Sequence, residues 1–149
     1  MMPKVEFHTG VADELEFACR LLRKAYRAGA RVVVLAPAAR LQRLDRELWT
    51  VFERDFIPHL RVPAQAEASA QALRTPIWLV DGEPPEGHPP VLVNLDAALP
   101  SRLQAFARII EIVGPDADAA RRGRAHWRAY KAAGVPLIHH AAATEGAHG

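Results

Sequence analysis

The chain has 149 residues, 50% hydrophobic and 24% charged, with a formal net charge of +2. A single domain of this length buries roughly 70% of its unfolded surface, so it needs no metal or disulfide to hold together. The apolar share excludes a disordered chain, the short apolar runs exclude a membrane span, and so small a charge does not by itself specify nucleic acid.

The first residues, Met1 to Glu6, contain no apolar signal core. The one cysteine, Cys19, rules out an internal disulfide and a cysteine metal cluster. Both features point to the cytoplasm.

Lys4 to His8 alternates and carries Val5 and Phe7, which predicts a strand. Gly10 breaks it. Leu15, Ala18, Cys19, Leu22, Ala25 and Tyr26 then recur at helical spacing, with Asp13 and Glu14 at the start of that helix and Gly29 at its end. Arg31 to Ala36 is a continuous apolar run, as in a strand buried on both faces. Pro37 opens a second helix striped by Leu41, Leu44 and Leu48. Strand, helix, strand, helix implies a parallel sheet with right-handed crossovers.

Residues 61–74 are weakly periodic and read as a loop with a loose helical turn. Pro76 to Val80 and Val91 to Leu95 are two further strands. The Pro-rich stretch 82–90 between them suggests an antiparallel excursion. Pro100 to Ala107 reads as a short helix, Arg108 to Val113 as a fifth main strand, and Asp116 to Ala133 as a last long helix ended by Gly134. Val135 to His139 is a short extended piece. The expected architecture is a single three-layer Rossmann-like α/β domain over residues 1–139, a mostly parallel sheet flanked by helices. Residues 140–149 are expected to be a disordered tail.

A parallel sheet raises nucleotide binding first. The turn His8-Thr9-Gly10-Val11-Ala12-Asp13 has one glycine, not G-x-G-x-x-G, and no P-loop occurs. No cofactor is expected. The seven histidines show no ligand spacing, and His139 and His140 are adjacent, so a strand points them to opposite faces. No metal site is expected. Cys19 lies on an apolar stripe and reads as a structural thiol. No catalytic set or nucleophile elbow is visible, so no catalytic residue is assigned.

Arg124, Trp127, Arg128 and Lys131 fall at i, i+3, i+4 and i+7 of the last helix, within an arc of about 100°. Ala125, Ala129, Ala132 and Ala133 lie on a separate arc, which reads as the face packed on the sheet. The basic arc is either a solvated stripe or a site where arginines pair carboxylates beside an apolar wall. The segment Leu44-Asp45-Arg46-Glu47-Leu48-Trp49, followed by Phe52 and Phe56-Ile57-Pro58-His59, holds more aromatic surface than a short helix buries. Trp49, Phe52 and Phe56 either cap the core or present an aromatic patch to a partner.

These segments resemble the chi subunit of the bacterial DNA polymerase III holoenzyme. The family carries L-D-x-x-L-W, then F-x-P-H, and ends in R-x-x-(W/Y)-(K/R)-x-Y-(K/R)-x-x-G, here Arg124 to Gly134. The resemblance runs over about residues 4–139 in the same order. It implies a non-catalytic replication subunit that binds the psi subunit and the acidic C-terminal tail of single-stranded-DNA-binding protein, which ends in a Pro-Phe carboxylate. It also implies that Arg124 holds the terminal carboxylate and that Arg128 and Lys131 hold upstream aspartates. Trp127 with Val113 would hold the phenyl ring, and Trp49 and Phe56 match the psi-facing surface. Nucleic acid would then be reached only indirectly, and no membrane is involved. The other readings are a module that binds nucleic acid directly and a nucleotide-dependent enzyme on a Rossmann-like sheet.

Overall fold

A computed structural model describes residues 2–50, 54 and 56–141. Phe52 and residues 142–149 lie outside the described residues. Seven strands form one sheet in the order β3-β4-β2-β5-β6-β1-β7, and every pair is parallel. They are β1 (Lys4–Thr9), β2 (Val32–Leu35), β3 (His59–Arg61), β4 (Ile77–Val80), β5 (Val91–Leu95), β6 (Arg108–Ile112) and β7 (Leu137–Ala141). Four α-helices cover it: α1 (Glu14–Arg27), α2 (Ala38–Thr50), α3 (Ala70–Arg74) and α4 (Ala117–Ala132).

Alternation along each strand sends side chains to two cores. Val32, Val34, Ile77, Leu79, Val93, Leu95, Ile110 and Ile112 pack under α1 and α2. Val5, Phe7, Val33, Leu35, Trp78, Val80, Leu92 and Ile109 pack on the other face with α3 and α4. The chain steps toward the β3 edge on the α1/α2 face and back on the α3/α4 face, as a single crossover hand requires. This is the three-layer Rossmann-like fold the βαβα pattern predicts.

The helix ends follow their sequences. Asp13, Ser69 and Asp116 accept from the backbone N–H of Glu16, Ala72 and Ala119. Gly29 and Gly134 take positive φ just past α1 and α4, where a side chain would be strained. The Val135 N–H then returns to the Tyr130 carbonyl at 3.1 Å, closing the last turn of α4.

Four expectations are corrected. First, β4 and β5 do not form an antiparallel pair; each lies parallel to β2, on opposite sides of it. Residues 81–90, up to about 33 Å when extended, are long enough to carry the chain back to the start of the sheet without a helix. Second, residues 59–61, for which the sequence predicts no strand, form an edge strand. Third, the extended piece near the C-terminus is β7, which pairs with β1 and includes His140 and Ala141. Fourth, the 100–107 helix contracts to one 3₁₀ turn, Leu103–Ala105, with Phe106 buried beyond it.

Cys19 is fully buried on the inward stripe of α1. Burial first, and then the carboxylates of Glu47, Asp13 and Glu16, push its thiol up to about 12. It is an inert core group, as its position on the stripe indicates.

Candidate functional site

Glu111 sits mid-strand on β6 with its side chain buried on the α4 face. A buried carboxylate is costly unless its oxygens are hydrogen-bonded. Here Tyr130 Oη donates to Oε2 at 2.7 Å and Asn94 Nδ2 donates to the same oxygen at 3.2 Å. His126 Nδ1 lies 3.1 Å from Oε1. Two of these partners belong to α4, so the polar cluster fixes the helix against β6. Burial, then the nearby Glu111 charge and its hydrogen bond, hold the Tyr130 hydroxyl protonated well above the ordinary tyrosine range. Asn94 also accepts from the Ala97 N–H at 2.8 Å, which shapes the turn after β5.

This anchoring corrects the expected packing face of α4. Ala119, Gly123 and Tyr130 are the buried residues of the helix, while Ala125, Ala129, Ala132 and Ala133 are exposed. Gly123 explains the reversal. A Cβ there would stand 3.0 Å from Val113 Cγ1, so the helix approaches the end of β6 so closely that an alanine would require the Val113 side chain to shift by a few tenths of an ångström. The exposed alanines serve helix propensity, not packing.

With α4 seated in this way, Trp127 lies half-buried over the sheet. Its ring meets Phe7 edge-on at 5.1 Å and His139 at 6.0 Å. A cavity of about 370 Å³ opens beside it, lined by Phe7, Thr9, Val113, Ala120, Gly123, Arg124, Trp127 and His139. That volume is at the small end of ligand pockets. The floor comes from β1 and β7, one wall from Val113, and the other from Trp127. Thr9 Oγ1 and His139 Nε2 are hydrogen-bonded at 2.7 Å and form a polar edge. Among the described residues, no carboxylate pairs with Arg124, Arg128 or Lys131. Arg124 stands at the rim; Arg128 and Lys131 are exposed along the same arc of the helix and do not line the cavity.

Of the residues singled out from sequence, Val113, Arg124 and Trp127 thus meet at one cavity. Phe7, Thr9, Gly123 and His139 are residues that sequence reasoning missed. Only the pairing of β7 with β1 brings the last of these to the first strand.

Trp49 and Phe56 are 57% and 60% exposed, with ring centroids 5.2 Å apart. The motif around them has an internal logic. Leu44, Leu48 and Ile57 are core residues. Asp45 Oδ1 lies 2.8 Å from Nε2 of His59, whose side chain is 1% exposed, and His59 Nδ1 lies 2.6 Å from the Ile57 carbonyl. Trp49 packs on the His59 ring at 5.0 Å. The Asp–His bond therefore ties α2 to β3 and props the two aromatics outward.

β6 and β1 are neighbours whose connections leave on opposite faces, the position where nucleotides bind in open α/β sheets. Here the crevice measures about 20 Å³, room for little more than a water, and is lined by Glu14, Asp96 and Glu111. Arg40 bridges Glu14 at 3.4 Å and Asp96 at 3.9 Å, and Arg122 also pairs with Asp96. A carboxylate-lined crevice closed by ion pairs is not shaped for a nucleotide phosphate.

Residues 2–138 match the family model for the DNA polymerase III chi subunit, HolC. The chain belongs to this family. The DNA polymerase III subunit chi of Pseudomonas aeruginosa is similar, 33% identical over 144 residues that cover 93% of this chain and 96% of that one. The sequence resemblance to the chi family is thereby borne out, and the protein is an accessory-type replication subunit. No helix among the described residues is long and apolar enough to cross a membrane.

Removing one donor from the Glu111 cluster tests its anchoring role. Tyr130→Phe is expected to lower unfolding free energy by about 1–3 kcal/mol in urea titration, the range for a buried bond to a charged group. The folded-state pKa of Tyr130 is raised, so this group's stabilisation is complete below the unfolded tyrosine value near 10 and is lost as pH rises above it. Wild-type stability should fall above about pH 10, and the variant should show less of that fall. The part that remains includes Cys19, which contributes with the same sign.

Proposed function

We propose that the cavity beside Trp127 receives the acidic C-terminal tail of single-stranded-DNA-binding protein, and that the Trp49–Phe56 patch faces the psi subunit. The chain would then link single-stranded-DNA-binding protein to the DNA polymerase III clamp loader. The observation that carries this reading is an apolar cavity with an arginine at its rim that has no carboxylate partner among the described residues. A Pro-Phe terminus offers a ring for the Phe7–Val113–Trp127 enclosure and a carboxylate for Arg124. A guanidinium grips both oxygens of a carboxylate at once, which an ammonium cannot. Arg128 and Lys131, exposed on the same arc, suit upstream aspartates.

The mechanism is tethering. One buried ring and a few charge pairs give an affinity on the order of −8 kcal/mol, micromolar. Several tails on one partner raise the effective concentration, so a modest contact suffices. The charged part weakens with salt over a Debye length of about 8 Å at physiological ionic strength.

Calorimetric titration with a short acidic peptide ending in Pro-Phe tests the tail site. Arg124→Ala is expected to cost most among the basic substitutions, about 1.5–3 kcal/mol. Arg124→Lys should recover part of that, and Lys131→Ala should cost about 0–1 kcal/mol. Equal small losses at every basic residue would reduce the helix to a diffuse positive surface and remove the pocket from the account.

For the aromatic patch, Trp49→Ala and Phe56→Ala should each cost about 1 kcal/mol of stability or less, against about 3–5 kcal/mol for a core aromatic. Together they should abolish capture of psi in a pull-down. Retained capture, or a collapse in stability, would assign the patch to the fold instead.

A further inference from the structure

Spacing along the chain shows no metal-ligand pattern among the histidines, but the sheet topology brings two of them together. β7 pairs with β1 so that His140 stands opposite His8. Glu6, two residues earlier, shares the His8 face of β1, on the side of the sheet away from α4. The two imidazoles stack with centroids 4.8 Å apart and 18° between planes. Glu6 Oε1 lies 3.9 Å from His8 Nε2 and 3.7 Å from His140 Nε2. One donor atom from each residue falls within 4.8 Å of the others, and this is the one such trio of His, Cys, Asp or Glu among the described residues.

Two neighbours orient the trio. Arg108 donates to Glu6 Oε2 through Nε at 2.7 Å, and its terminal nitrogen lies 2.6 Å away, which leaves Oε1 for the imidazoles. Phe17 packs on the His8 ring at 5.1 Å and restrains its rotamer. Donors around a tetrahedral ion with bonds of about 2.0–2.2 Å stand about 3.3–3.6 Å apart. The carboxylate–imidazole separations of 3.9 and 3.7 Å approach that spacing; the trio as a whole spans up to 4.8 Å, so the half-exposed His140 ring turns out of its stack and moves by roughly 1 Å to close on the ion.

We propose that Glu6, His8 and His140 form a binding site for a divalent transition-metal ion, with Zn²⁺ as its type. Two imidazole nitrogens and one carboxylate oxygen would hold the ion, with the fourth position open to water. This donor set suits zinc and its late first-row neighbours over magnesium or calcium. His140 is half-exposed and gives the ion its entry. The bound ion clamps β7, an edge strand, to β1. The site lies on the opposite face of the sheet from the Trp127 cavity and does not depend on what that cavity binds.

Titration of the full chain with Zn²⁺, followed by imidazole nitrogen resonances and by calorimetry, tests the site. One equivalent should bind, moving the Nε2 signals of His8 and His140 together and leaving His88 unmoved. His140→Ala and Glu6→Gln should each weaken Zn²⁺ by at least about tenfold, 1.4 kcal/mol. His140 stands on an edge strand and is half-exposed, so its variant should remain folded, which thermal unfolding verifies. No saturable binding by about 1 mM Zn²⁺, or equal affinity in both variants, would overturn the assignment.

Discussion

The architecture around the candidate site depends on one buried carboxylate. Glu111 occupies a position on β6 where the alternation calls for an apolar side chain under α4. Its oxygens are instead satisfied by Tyr130, Asn94 and His126. An apolar residue there would let α4 slide or rotate at small cost, because apolar contacts are non-directional. Hydrogen bonds to a fixed carboxylate do not permit this. The helix is thus locked in rotation. Gly123 sets its height over Val113, and Trp127 is left standing over Phe7 with space beside it.

A smaller polar contact plays the same part at the other end of the sheet. The Asp45–His59 bond joins the second helix to a three-residue edge strand that has few contacts of its own. Trp49 rests on the imidazole it holds. In both places a polar contact positions an aromatic side chain: the Glu111 cluster seats the helix that carries Trp127, and the Asp45–His59 bond holds the ring under Trp49. The two aromatic surfaces are built separately, one on α4 and one beside α2, which is an arrangement suited to two partners at once.

Most elements were legible because their residues repeat with one period: the α1 stripe from Leu15 to Leu22, the apolar run of β2, and the Leu41–Leu44–Leu48 stripe of α2. β3 was not legible, since three residues between Pro58 and Pro63 carry no period. The direction of β5 was obscured because the proline cluster at 82–90 looks like a hairpin turn, while direction is decided by which strand it joins. The inward side of α4 is masked in the sequence by its alanines, which read as packing residues but are exposed. Gly123 and Tyr130, spaced i and i+7, mark the true inward stripe, and that signal was present in the sequence. Arg124 and Trp127 lie in the family motif, and the resemblance implied Val113 beside them. His139 reaches Thr9, and His140 reaches Glu6 and His8, by strand order alone, which no spacing along the chain reveals.

The central claim is that locking α4 creates a pocket for a terminal carboxylate and ring, not merely a basic helix face. The most direct measurement is a map of backbone and indole amide shifts as the free-acid Pro-Phe peptide is added, repeated with its C-terminal amide. The account predicts localised changes at Gly123, Arg124, the Trp127 indole and His139 with the acid, and their near loss with the amide. Changes spread evenly over the basic surface, or the same map for both peptides, would contradict it.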